Sequence, residues 1–152
     1  MFDVFNQIMF NIKLGKYKYL GSGSSREVFD LGNGYVIKVA RNMAGMAQNM
    51  SEYQISYNDS SHLFAKVMKA SQNFEFIIME KAKRINTISY IWDYFNINNK
   101  NELFNLDELK KIKGKYNLVL ADLAKKSSWG IINGKPVIID YGFTRAVKEN
   151  YY

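Results

Sequence analysis

The chain of 152 residues is long enough for one compact domain, or for two small lobes that share a core. Its 47% hydrophobic and 15% aromatic content excludes general disorder, and the absence of cysteine excludes disulfides, thiolate zinc sites and cysteine nucleophiles. The formal charge of +7 suits a polyanionic partner such as a nucleotide, a nucleic acid or an anionic membrane surface, although a solvated lysine-rich face explains it more simply.

At the start of the chain, Phe2, Phe5, Ile8, Met9 and Ile12 recur at three-to-four spacing and predict a short amphipathic helix. This stretch lacks the basic start and cleavage pattern of a secretory signal. The longest apolar runs, such as Phe76 to Met79, are too short to cross a bilayer, so a cytoplasmic protein is expected. Three strands are predicted at 16–21, 26–31 and 35–40, with glycine-rich turns between them, followed by a helix over 44–58. Two more strands are expected around 63–80, separated by a polar turn at 71–73.

After Glu80 the texture becomes helical over 86–97 and 105–113, with an asparagine-rich connection at 96–102. Asn105 is placed to cap the second helix, with Glu108 three residues on, and Gly114 to end it. Residues 128–142 read as a hairpin whose arms flank Asn133-Gly134, with Pro136 at the start of the second arm.

Several of these residues carry possible chemistry. The run Gly21-Ser22-Gly23-Ser24-Ser25 is either a plain hairpin turn or a cradle whose backbone N–H groups face phosphates. Strand alternation puts Val36, Lys38 and Ala40 on one face, and a lysine among apolar neighbours needs a charged partner unless it snorkels from an edge. Glu52, on the following helix, is the first acid after Lys38 and is either that partner or a solvent-facing residue. Asp122 follows the apolar run 117–121, and Asp140 ends the apolar run 136–139. Carboxylates there suit metal binding and hydroxyl-proton work, while Asp122 could equally cap a turn.

Taken in order, these stretches resemble the protein-kinase-like superfamily, and the pattern is nearest to small kinase-like proteins encoded by bacteria and phages. "LGSGSSREV" resembles the Gly-rich loop, "YVIKV" the strand with its lysine, and "SEYQI" the helix with its glutamate. "IIMEKA" resembles the adenine-binding hinge, "LADLAKKSSWG" the catalytic loop and "VIIDYG" the metal-binding D-F-G. The resemblance runs from about Leu20 to Gly142.

It implies an α+β, minimal two-lobed fold: a five-stranded antiparallel sheet with the N-terminal helix in residues 1–82, and a reduced helical lobe in residues 83–152. It also implies ATP and Mg²⁺ between the lobes. Gly21, Ser22, Gly23, Ser24 and Ser25 would cover the phosphates, and Val28 with Val36 would roof the adenine. Lys38 would hold phosphates and pair with Glu52, and Glu80 and Ala82 would offer hinge backbone contacts. Asp122 would orient or deprotonate the acceptor hydroxyl, and Asp140 would bind Mg²⁺.

Three departures stand against this pattern. Arg26 replaces the third loop glycine, which is read as tolerable. Ser127 or Ser128, depending on the alignment, replaces the second metal ligand, an asparagine. Only ten residues follow Gly142, so no activation segment is expected and Tyr151 and Tyr152 read as a plain terminus, with an exposed tyrosine a possible phosphoryl acceptor. The expectation is therefore ATP/Mg²⁺-dependent phosphoryl transfer to a protein hydroxyl, of this chain or of a partner. The alternative is an impaired pseudokinase that acts by binding a protein, against a host defence system if phage-encoded. A nucleic-acid surface around the alternating lysines and tyrosines of 13–21 is explained as well by edge-strand lysines. His62 stands alone in a polar stretch and reads as a surface or cap residue.

Overall fold

The computed structural model describes residues 4–152. Its first elements are helix α1 (Val4–Lys13), strands β1 (Lys18–Ser22), β2 (Arg26–Asp30) and β3 (Tyr35–Ala40), and helix α2 (Met43–Asn58). Strands β4 (Val67–Ala70) and β5 (Phe76–Glu80) follow. The five strands form one antiparallel sheet in the order β1-β2-β3-β5-β4. This is the α+β architecture expected from the sequence, a five-stranded antiparallel sheet with several helices.

Alternation along β3 sorts the sheet's two faces. Ile37 points to one side, where it packs with Phe76 and with Phe5 and Ile8 of α1. Phe5 and Phe76 stack with ring centroids 5.7 Å apart. Met9 and Ile12 join this cluster as the periodicity predicts, while Phe2 lies outside the described residues. Val36, Lys38 and Ala40 point to the other side, toward α2 and the rest of the chain.

The remaining elements are β6 (Lys83–Arg84), α3 (Ser89–Tyr94), α4 (Lys100–Phe104), α5 (Asp107–Tyr116) and α6 (Leu120–Leu123). A 3₁₀ turn (Lys126–Ser128), β7 (Trp129–Ile132), β8 (Lys135–Ile138) and α7 (Arg145–Tyr151) complete the chain. Strands β7 and β8 form the expected hairpin, with Asn133 (φ 52°) and Gly134 (φ 77°) at its turn and Pro136 opposite Ile131. The strand β6 adds to β7 as a third strand, which the sequence pattern does not announce.

The helical boundaries differ from expectation where asparagines act as caps. Asn99 accepts a hydrogen bond from Glu102 N at 2.9 Å and starts α4 inside what reads as a loop. Asn105 closes α4 and does not cap α5, and Gly114 stays within α5. That helix ends at Asn117, whose left-handed conformation (φ 56°, ψ 47°) asparagine tolerates.

One buried cluster runs through both parts of the chain. It joins Val36 and Met79 of the sheet to Ile55 of α2, Leu103, Leu109 and Leu123 of the small helices, and Trp129 and Ile138 of the hairpin. Backbone bonds reinforce it: Ala65 N donates to Ile138 O at 3.0 Å and Ile138 N to Leu63 O at 2.6 Å. The segment leading into β4 is thereby tied to β8, which sets the height of Ile139 and Asp140 beneath the sheet.

Candidate functional site

The Gly21–Ser25 run is a tight β-hairpin turn between β1 and β2, closed by Gly23 N donating to Arg26 O at 3.0 Å. Beneath it lies a cleft of about 570 Å³, bounded by the sheet, the segment from Glu80 to Ile85 and the β7–β8 hairpin. That volume is within the range of small-molecule and cofactor pockets. Of the residues picked from the sequence, Gly21, Ser22, Gly23, Ser24, Ser25, Val28, Val36, Lys38, Glu80, Ala82, Ser127 and Asp140 line it. Arg26, Lys38, Lys81, Arg84 and Lys126 supply five cations to its walls, against the carboxylates of Glu80 and Asp140, so the cleft favours an anion. A more open depression of similar volume over α2, α5 and α7 has Lys115 for its charge and no glycine-rich turn.

Glu52 is the hub of the cleft's charged wall. Its side chain is fully buried on α2, and Lys38 Nζ donates to its Oε1 at 2.8 Å. The other oxygen, Oε2, accepts from Arg26 Nη2 at 2.9 Å, Tyr141 N at 3.1 Å and Gly142 N at 2.9 Å. Burial alone would push this carboxyl up; the charges of Arg26 and Lys38, with their hydrogen bonds, outweigh it and bring its pKa down to about 2. Burial pulls the Lys38 ammonium below its usual value despite the neighbouring glutamate. Lys38 Nζ also donates to Ile139 O at 2.6 Å, so the lysine straps the sheet to the chain just before Asp140.

Arg26 takes a place that the sequence does not suggest. Read from the sequence only as a tolerable replacement for a loop glycine, it is buried at 6% exposure and turned inward. Its Nη2 bridges Glu52 and Asp140 Oδ1, both at 2.9 Å, and its Nη1 donates to Asn49 Oδ1 at 3.1 Å. Burial works against the guanidinium charge, but Glu52 and Asp140 more than offset it and hold its pKa above the ordinary value.

Asn49, completely buried, donates through its amide to Phe74 O (2.8 Å) and Glu75 O (3.2 Å), which fixes its oxygen toward Arg26. On α2, Gly45, Gln48, Asn49, Glu52 and Ile55 share the buried face. Four of the five are polar or glycine, so a search for apolar periodicity passes over the stripe although its spacing is helical.

Two predicted residues stand apart from the cleft. The Asp122 carboxylate on α6 is paired with Lys125 at 3.3 Å and is not among the cleft's lining residues. Ser128 is buried and its hydroxyl donates to Asp122 O at 2.7 Å, so it supports the α6 turn rather than facing Asp140.

The residues present do not fit Mg²⁺ as arranged here. Asp140, expected to hold it, gives its Oδ1 to the Arg26 guanidinium, and the Ser128 hydroxyl is turned to Asp122 O.

The segment after Gly142 folds back as α7, whose Thr144 side chain accepts from Val147 N, and packs against α2. Tyr152 is therefore not a free end: its hydroxyl lies 2.5 Å from Ser25 Oγ and accepts from Gln48 Nε2 at 2.7 Å. It reaches the flank of the glycine-rich turn. His62 is exposed, with its backbone N–H donating to Asp59 Oδ2 at 3.3 Å.

No family model matches the sequence, and no curated protein matches it. Among solved structures the chain is similar to the streptomycin–ATP–APH(2″)-IIa ternary complex, at 17% identity and a TM-score of 0.48 over 93% of this chain and 71% of that one. It is similar also to the gentamicin–APH(2″)-IIa complex, at 17% identity and a TM-score of 0.49 over 94% and 71%. No helix among the described residues is long and apolar enough to cross a membrane.

Proposed function

We propose that the protein is a minimal kinase-like ATP-binding protein that transfers the terminal phosphoryl group to a protein hydroxyl of its own chain or of a partner. The observation that carries this reading is the buried Lys38–Glu52 pair at 2.8 Å, set beneath a glycine-rich turn in a cation-lined cleft. The β- and γ-phosphates would lie under Gly21–Ser25 against Lys38. The adenine would sit between Val28, Val36 and Met79 above and Trp129 and Ile139 below, with its edge toward the backbone of Glu80 to Ala82. Asp122 would receive the proton of the attacking hydroxyl once an acceptor reaches α6.

A second reading, a binding protein with impaired catalysis, is favoured by the Asp140 carboxylate resting on Arg26 and by Asp122 being paired outside the cleft. Its partner would be a protein, and a host defence protein if the chain is phage-encoded. Incubation with γ-labelled ATP, with and without Mg²⁺, separates the two. Wild type is expected to transfer label to protein, and Asp122→Asn to lower the rate by two orders of magnitude or so. Absence of transfer in wild type, with ATP still bound, would select the second reading.

A further inference from the structure

We propose that Arg26 is the cation facing the phosphates of the bound nucleotide, in the place where a divalent metal would otherwise rest on Asp140, so that this cleft binds its nucleotide without a metal. The inference rests on the ATP reading above and concerns only how that ligand's charge is met.

Four features of the site point the same way. The guanidinium is held from behind: Asn49 Oδ1 accepts from Nη1 and Glu52 Oε2 from Nη2, and both of these partners are fully buried. Such a grip fixes the cation without a ligand present, which is what a preorganised anion site needs. Arg26 nevertheless lines the cleft together with Lys38.

The donor count agrees. A guanidinium carries five N–H groups in a planar fork, and the bonds to Asn49, Glu52 and Asp140 leave two for phosphate oxygens. Finally, the Asp140 side chain is 54% exposed while that of Arg26 is 7% exposed. Asp140 is therefore the movable partner, free to swing into solvent and yield its place on Nη2 to a phosphate. A divalent ion held by Asp140 at this place would sit beside a fixed buried cation, which like-charge repulsion opposes.

Asp140 thus changes role. In place of a metal ligand it is a carboxylate that screens Arg26 until an anion arrives. Arg26 itself is expected to touch the ligand, and Asn49 is a positioning residue acting through Arg26.

The test is calorimetric titration of ATP into wild type, Asp140→Asn, Arg26→Lys and Arg26→Ala, in EDTA and in Mg²⁺, with circular dichroism to establish that each variant is folded. Wild type is expected to bind in EDTA at least as tightly as in Mg²⁺. Asp140→Asn, which removes the competing charge and keeps the shape, is expected to bind about fivefold more tightly in EDTA. Arg26→Lys should keep metal-independent binding, and Arg26→Ala should weaken it about tenfold or more.

Wild-type binding that requires Mg²⁺, or loss of binding in Asp140→Asn, would overturn the inference and leave the ATP reading standing. Silence of wild type toward ATP in both buffers would remove the ATP reading, and this inference with it.

Discussion

Glu52 is the residue on which the site most depends, because one buried carboxylate pairs with two buried cations. Glu52→Gln would leave Lys38 and Arg26 without their shared counter-charge and is expected to cost about 3–5 kcal/mol, read from the midpoint of urea unfolding. Its pKa also sets an acid limit. The unfolded carboxyl takes up a proton near the ordinary value of 4.5, whereas the folded one holds out to about 2. Stability from this group is therefore complete above pH 4.5 and falls as the pH drops from there toward 2. Urea midpoints between pH 6 and pH 3 should decline in wild type and decline less steeply in Glu52→Gln.

The site residues differ in how far the sequence discloses them. Lys38 and Glu52 are legible because a lysine inside an apolar strand calls for a partner and the next helix offers an acid. Arg26 and Asn49 are not, since nothing in the chain order says that a residue at the mouth of a turn bends inward to meet an aspartate 114 positions later. Asn49 lies only three positions before Glu52 on the same helix face, and that polar stripe is the signal that could have found it.

At the scale of elements, α2 organises the site. Gly45 and Gly142 allow the chain to press against it from two sides. A Cβ at Gly45 would come within 2.3 Å of Ser25 O, and one at Gly142 within 2.5 Å of Gln48 O. Gly142→Ala must push the Asp140–Gly142 segment off α2 and lengthen its two amide bonds to Glu52. The expected cost is roughly 1–3 kcal/mol, measurable by chemical denaturation.

At the same contact, Tyr152 joins Ser25 to Gln48 of α2. Tyr152→Phe is expected to speed amide exchange at Gly23 and Arg26, while global stability changes by about 1 kcal/mol or less. Unchanged exchange in the loop would show that the contact does not restrain it.

The elements themselves are legible where hydrophobic period and turn chemistry agree, as in α1, β2, β3 and the Asn133-Gly134 hairpin. They are less so from 96 to 117, where Asn99 starts a helix inside what reads as a loop, Asn105 closes that helix instead of capping the next, and Asn117 rather than Gly114 ends α5. The strand β6 escapes notice because its two residues, Lys83 and Arg84, are exposed and carry no apolar pattern.

Over the whole molecule, one buried cluster joins sheet, α2, small helices and hairpin, and a second packs α1 on the sheet's other face. The two parts expected on either side of residue 82 follow the texture of the sequence, and apolar contacts cross between them. Melting should therefore be one cooperative transition: fluorescence of Trp92 and Trp129, both in the helical part, and far-UV circular dichroism should share a midpoint. The cleft lies where these parts meet, so a ligand there should stabilise the entire fold. Thermal melting with and without ATP, in wild type and Lys38→Ala, tests nucleotide binding most directly. At ATP a hundredfold above its dissociation constant, wild type should gain about 2.7 kcal/mol, a rise of roughly 5–10 °C, and Lys38→Ala should lose most of that shift. An unchanged wild-type midpoint, or an equal rise in both proteins, would contradict nucleotide binding at Lys38.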